Sequence, residues 1–145
     1  MVSDPERLQP LAGFRHAMRR FLAASEAINK AAGITQQQYQ AMLAIGVWAR
    51  GPMTVKDLAE DLLLTHHGTV QLVDRLAKAG LAQRTSSSTD RRSVELSLTP
   101  QGAALLEGLV GQHLQEMFKR EPALSASLRR LRGLKSAPGP AADRY

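Results

Sequence analysis

The stretch from Leu62 to Leu98, LLLTHHGTVQLVDRLAKAGLAQRTSSSTDRRSVELSL, constrains the fold more than any other part of the chain. Thr69, Leu72, Val73 and Leu76 fall at i, i+3, i+4 and i+7, the spacing of one buried helix face. Thr65 stands where that helix needs an N-cap, and Gly80 where it must stop. His66, His67, Val70 and Gln71 are then left on the outer face, near the amino end. Leu81 to Thr85 reads as a strand. Val94, Leu96 and Leu98 alternate with Ser93, Glu95 and Ser97, which predicts a second, half-buried strand. The loop between the strands is rich in serine and ends in Asp90-Arg91-Arg92. A helix with a free first turn, followed by a basic hairpin, suits DNA: the helix enters the major groove and the hairpin reaches the backbone or minor groove.

Around this stretch the chain reads as helical. Residues 1–7 are polar and are expected to be loose. Leu11, Phe14, Met18, Phe21, Ser25 and Ile28 recur at spacings of three and four and form one stripe, widened by Leu22, with Gly33 as a stop. The stripe fits either a seam against a partner helix or an ordinary core face. Arg15, Arg19 and Arg20 lie off it and read as a solvated face. Thr35 and Gln38 have the spacing of a capping box; the helix they open turns Tyr39, Met42, Leu43, Gly46 and Val47 inward and ends at Arg50-Gly51-Pro52. Thr54 caps a third helix, with Asp57 in its first turn and Val55, Leu58, Ala59 and Leu62 facing inward. Thr99 caps a last long run with Pro100 at its first position. Glu121-Pro122 is expected to break that run before a short helix over 123–132. The tail SAPGPAADRY has the composition of a disordered segment.

Lys plus Arg is 19 against 13 for Asp plus Glu, and the net +6 favours a polyanionic partner without separating nucleic acid from an acidic membrane surface. The chain has no cysteine, which removes disulfides, thiolate metal sites and thiol redox sensing. No apolar run approaches the ~20 residues of a membrane span, so no membrane is expected. The first residues lack the apolar core of a secretory signal, and a cytoplasmic protein is the simple expectation.

Three pieces in this order and spacing resemble the winged helix-turn-helix of the MarR (multiple-antibiotic-resistance regulator) family: Val73-Asp74-Arg75-Leu76 followed by Gly80-Leu81, the pair Asp90 and Arg92, and the exit from Leu98 to Gly102. The resemblance implies a single domain over 8–132, mainly α with a small antiparallel β-wing, and dimeric. Its dimerisation helices would be 8–32 and 100–132, its winged helix-turn-helix 53–98, and 133–145 a tail. It implies a ligand-responsive repressor that acts as a homodimer on double-stranded DNA carrying a near-palindromic site. Thr65, His66, His67, Val70 and Gln71 would then contact DNA from the recognition helix. In the wing, Arg92 would reach the minor groove with Asp90 holding it, while Arg91, Arg84 and Ser87 meet phosphates. A cleft for a small aromatic or anionic effector is also implied, with Phe14, Met18, Tyr39 and Trp48 as candidate lining residues and no cofactor.

Blander readings stand beside these. Tyr39 and Trp48 equally suit a plain core. His66 and His67 are adjacent on a helix and point about 100° apart, whereas chelating pairs prefer i, i+4, so no metal site is expected. Gly68 in the recognition helix departs from the family's pattern, as does a wing tip of serines and threonine. The alternative function is a degenerate winged helix that binds protein instead of DNA. An enzyme is not expected: there is no glycine-rich phosphate loop, no Gly-x-Ser-x-Gly and no carboxylate pair in a catalytic frame.

Overall fold

A computed structural model describes residues 4–86 and 94–136. In chain order the elements are α1 (Pro5–Ala31), α2 (Gln36–Val47), α3 (Val55–Leu62), α4 (His66–Lys78), β1 (Ala82–Ser86), β2 (Val94–Leu98) and α5 (Pro100–Ser136). They form two compact units. One contains the described parts of 1–25 and 113–145; the other is 26–112. The boundaries fall inside α1 and α5, not at their ends.

The central unit holds the core. Met42, Leu58, Leu72, Val73, Leu76, Leu81, Leu96 and Leu109 are all buried in it. Each helix starts where a side chain can take up an orphan amide. Thr35 Oγ1 accepts from the Gln38 N–H at 3.1 Å, and Gln38 Oε1 accepts from the Thr35 N–H at 2.8 Å. Thr54 and Asp57 repeat the arrangement on α3. Three helices stop where the backbone turns left-handed, α1 at Gly33, α3 at Leu63 and α4 at Gly80, whereas α2 ends at Trp48 in extended backbone. The strands pair antiparallel, Ala82 with Leu98 through Ser86 with Val94, and the Leu96 N–H donates to the Met53 carbonyl at 2.7 Å. This pairing and the buried Leu96 seat the hairpin on the helices, with α2, α3 and α4 packed around it.

In several places the structure differs from the sequence expectation. Helix α1 starts at Pro5, so residues 5–7 are helical and not loose; a first-turn proline lacks an N–H that would have no partner there. Helix α2 buries Tyr39, Ala41, Met42, Ala44 and Ile45, while Leu43 is 37% and Val47 71% exposed. Small alanines allow α2 to sit close to its neighbours, and its apolar residues lie on all sides, so periodicity did not choose the face. Gly46 does belong at a contact: a Cβ there would lie 3.0 Å from Leu106 Cδ2. Glu121-Pro122 does not end α5, which runs unbroken to Ser136. Proline removes one ladder donor but holds a helical φ, so a long helix can continue through it. The tail's residues 133–136 are accordingly helical, and 137–145 lie outside the described residues.

In the two-helix unit, Phe14, Met18 and Phe21 are half-buried and Ser25 is buried. Its hydroxyl lies 3.0 Å from His113 Nε2. Leu8, Leu11 and Leu22 of α1, and Leu114, Met117, Phe118 and Leu128 of α5, remain exposed.

The α3 cap makes a pH prediction. Asp57 accepts from the Thr54 N–H at 2.9 Å and from its hydroxyl at 2.8 Å. These bonds, the backbone one foremost, hold its carboxyl below the usual carboxylate range. The stability they contribute is present above the unfolded value of about 3.9 and is lost as pH falls through the lower folded value. Urea titrations of parent and Asp57→Asn between neutral and strongly acidic pH should show a shallower acid loss in the variant. Parallel acid limbs would remove Asp57 from the account.

Candidate nucleic-acid interface

Helix α4 is held from below and open from above. Thr69, Leu72, Val73 and Leu76 are buried, so its rotation about its axis is determined. Thr65 caps it: Oγ1 accepts from the Gly68 N–H at 3.0 Å, and the Thr65 carbonyl accepts from the Thr69 N–H and hydroxyl. Gly68 has a local role there. A Cβ at this position would lie 3.0 Å from Thr65 Oγ1, so the missing side chain leaves room for the cap.

The sequence-predicted contact residues come out together on the outer face. Thr65, His66, His67 and Gln71 are exposed and Val70 is half-buried. Gln71 Nε2 lies 3.3 Å from His67 Nε2, one turn away. An amide nitrogen only donates, so the ring nitrogen accepts and the pair orients the Gln71 amide. A pre-oriented amide beside an imidazole, at the amino end of an exposed helix, can exchange paired hydrogen bonds with a base edge.

Arg84, a sequence-predicted phosphate contact, is engaged within the chain. Its Nη2 is ion-paired with the Asp74 carboxylate and also lies 3.4 Å from the Val70 carbonyl. The pair ties β1 to α4 across the outer face. Asp74 is not among the sequence-predicted contact residues. It is one turn beyond Val70 on the open side of the helix, but only the packing of β1 brings Arg84 to it. Ser87, Asp90, Arg91 and Arg92 lie outside the described residues.

The four candidate pocket residues divide between the units. Phe14 and Met18 belong to the two-helix unit; Tyr39 and Trp48 belong to the central one. Tyr39 is a core residue, and burial raises its phenol above the ordinary value. Trp48 is half-buried, carries the Arg50 guanidinium over its ring at 5.4 Å and lines an open hollow of about 430 Å³ with Pro52, Thr85, Glu95 and Ser97. Tyr39 does not line that hollow. Among the described residues no group of three or more His, Cys, Asp or Glu is placed to hold a metal ion. No described helix is long and apolar enough to cross a membrane.

A sequence model of the MarR family matches residues 32–93, which covers α2, the helix-turn-helix and the start of the wing. The organic hydroperoxide resistance transcriptional regulator of Bacillus subtilis is 39% identical over 77 residues, 53% of this chain and 51% of that relative, so the match spans about half of its length. The fold is that of AbsC, a MarR family transcriptional regulator from Streptomyces coelicolor (TM-score 0.74, 17% identity, 92% of this chain and 99% of that one). It is also that of Bordetella bronchiseptica BpsR, whose DNA binding is regulated by 6-hydroxynicotinic acid (TM-score 0.64, 22% identity, 86% and 91%).

Proposed function

We propose that this chain is a MarR-family winged helix-turn-helix protein that acts as a homodimeric, ligand-responsive repressor on a near-palindromic DNA site; the family model over 32–93, the transcriptional regulator of Bacillus subtilis and the fold shared with AbsC support the reading. One observation carries the DNA reading. The core fixes α4 so that His66, His67 and Gln71 stand exposed at its amino end, where a helix-turn-helix meets base edges. In this reading Gln71 pairs with an adenine and Val70 meets a thymine methyl. From the resemblance, Arg92 enters the minor groove with Asp90 holding it, and Arg91 and Ser87 meet phosphates. Arg84 serves the interface through Asp74.

The dimer is supported by the exposed leucines, Met117 and Phe118 of the two-helix unit, since two helices cannot bury both of their faces on each other. The effector is supported by BpsR, a fold neighbour whose DNA binding answers to a small aromatic acid. A response through thiol oxidation is not available to this chain, which has no cysteine.

Selection of bound sites from random DNA, followed by footprinting, tests the reading. The selected site should contain two inverted half-sites about 10 base pairs apart centre to centre. Equal affinity for every sequence would favour the protein-interaction module instead. Sedimentation as a compact monomer at micromolar concentration would remove the dimer.

A further inference from the structure

The three leucines of the turn between α3 and α4 have different fates. Leu62 and Leu64 pack against the core. Leu63 has φ 56° and ψ 40°, and is 91% exposed, more than any other exposed large hydrophobic among the described residues. The turn itself is held: the Leu63 N–H donates to the Glu60 carbonyl at 3.4 Å and the Leu64 N–H to the Ala59 carbonyl at 3.0 Å. Left-handed backbone suits glycine or asparagine and opposes a leucine, whose Cβ crowds the following carbonyl. Leucine is therefore unfavourable here twice, in its backbone and in its exposure to water. No contact inside the central unit offsets either, because the side chain stands almost wholly in solvent.

Leu63 precedes the Thr65 cap by two residues and so lies beside the end of α4 that presents His66 and His67. A strained, rigidly held and exposed apolar group at that place gains burial only when something binds over it. Leu62 and Leu64 are half-buried against the core and the exposed neighbours Glu60, Asp61 and Thr65 are charged or polar, so the fully exposed apolar surface of the turn is one side chain wide. That width suits a methyl group and not the broad face of a protein partner. The apolar feature of a base edge in the major groove is the thymine C5-methyl. Resting on the DNA-binding reading above, we propose that Leu63 is a specificity-determining residue that packs on a thymine methyl at the edge of each half-site.

The test compares parent, Leu63→Gly and Leu63→Asn on the selected operator and on copies in which single thymines are replaced by uracil, which removes only the methyl group. Both variants accept left-handed backbone, so both should unfold no earlier than the parent. Both should bind more weakly, by about fourfold per half-site, the effect of one buried methyl-sized group. One uracil position per half-site should weaken the parent by a similar factor and leave both variants unchanged. Unchanged affinity in the variants, or the same uracil pattern in all three proteins, overturns the proposal. Earlier unfolding of both variants also overturns it, since Leu63 would then be a packing residue. A parent that prefers no DNA sequence sinks the DNA reading and this inference together; a specific parent with indifferent variants sinks the inference alone.

Discussion

Replacing Gly102 by alanine should destabilise the central unit by about 3 kcal/mol or more, the upper range for forcing an extra group into a filled site. A Cβ at Gly102 would lie 1.9 Å from the Leu81 carbonyl oxygen, 2.8 Å from its carbon and 3.1 Å from Leu81 Cα. All three are backbone atoms and cannot swing aside as a flexible side chain would. They are also engaged. The Leu81 carbonyl accepts from the Thr99 N–H at 3.1 Å, and the Thr99 hydroxyl donates to the Gly80 carbonyl at 2.6 Å while accepting from the Gly102 N–H at 3.0 Å. The exit of α4, the end of β2 and the first turn of α5 are thus locked together, and any shift breaks one of these bonds. Gly108 provides the control within the same helix. It has nothing within 4 Å of a built Cβ, so Gly108→Ala should gain up to about 1 kcal/mol from helix propensity. Urea midpoints of opposite sign would establish the close approach; a Gly102→Ala variant as stable as the parent would refute it.

The second large effect is expected at the pair that links β1 to α4, and it is one of sign. Asp74 is a carboxylate on the open side of α4, the side that meets DNA phosphates in the proposed reading. Arg84 neutralises it. Arg84→Ala leaves a bare negative charge there and should weaken DNA binding on the order of tenfold at low salt. Asp74→Asn does the reverse. It releases the Arg84 guanidinium for a phosphate and should tighten binding to all sequences, with a salt slope steeper by about 0.9 for the added contact. The stability change should be small in both variants, because the pair is partly exposed and screened. Titrations at several salt concentrations decide the matter. Equal weakening by the two substitutions would mean that the pair works as a mechanical tie and not by silencing charge.

Helix α4 was the most legible part of the chain. Its four buried positions are apolar or threonine, fall at helical spacing and leave one polar face, so only one rotation buries them. The caps were equally plain, since Thr35, Thr54, Thr65 and Thr99 each meet an amide three residues on, a relation local in sequence. Helix α2 was not legible in this way. Leu43 and Val47 are as apolar as Met42 and Ile45, and packing, not pattern, chose which pair to bury. Pro122 misled for a related reason: the ring removes a hydrogen bond but does not forbid the helix.

Local chemistry, then, was enough to determine where α2, α3, α4 and α5 begin, which side of α4 is buried and which side chains stand at its open end, because those relations reach no further than a turn or two along the chain. The ion pair of Arg84 with Asp74, the contact of Gly102 with Leu81 and the outward turn of Leu63 between two packed leucines were decided by the tertiary structure. The first two need segments far apart in sequence to meet. The third depends on which of three equally apolar side chains the core has room to accept.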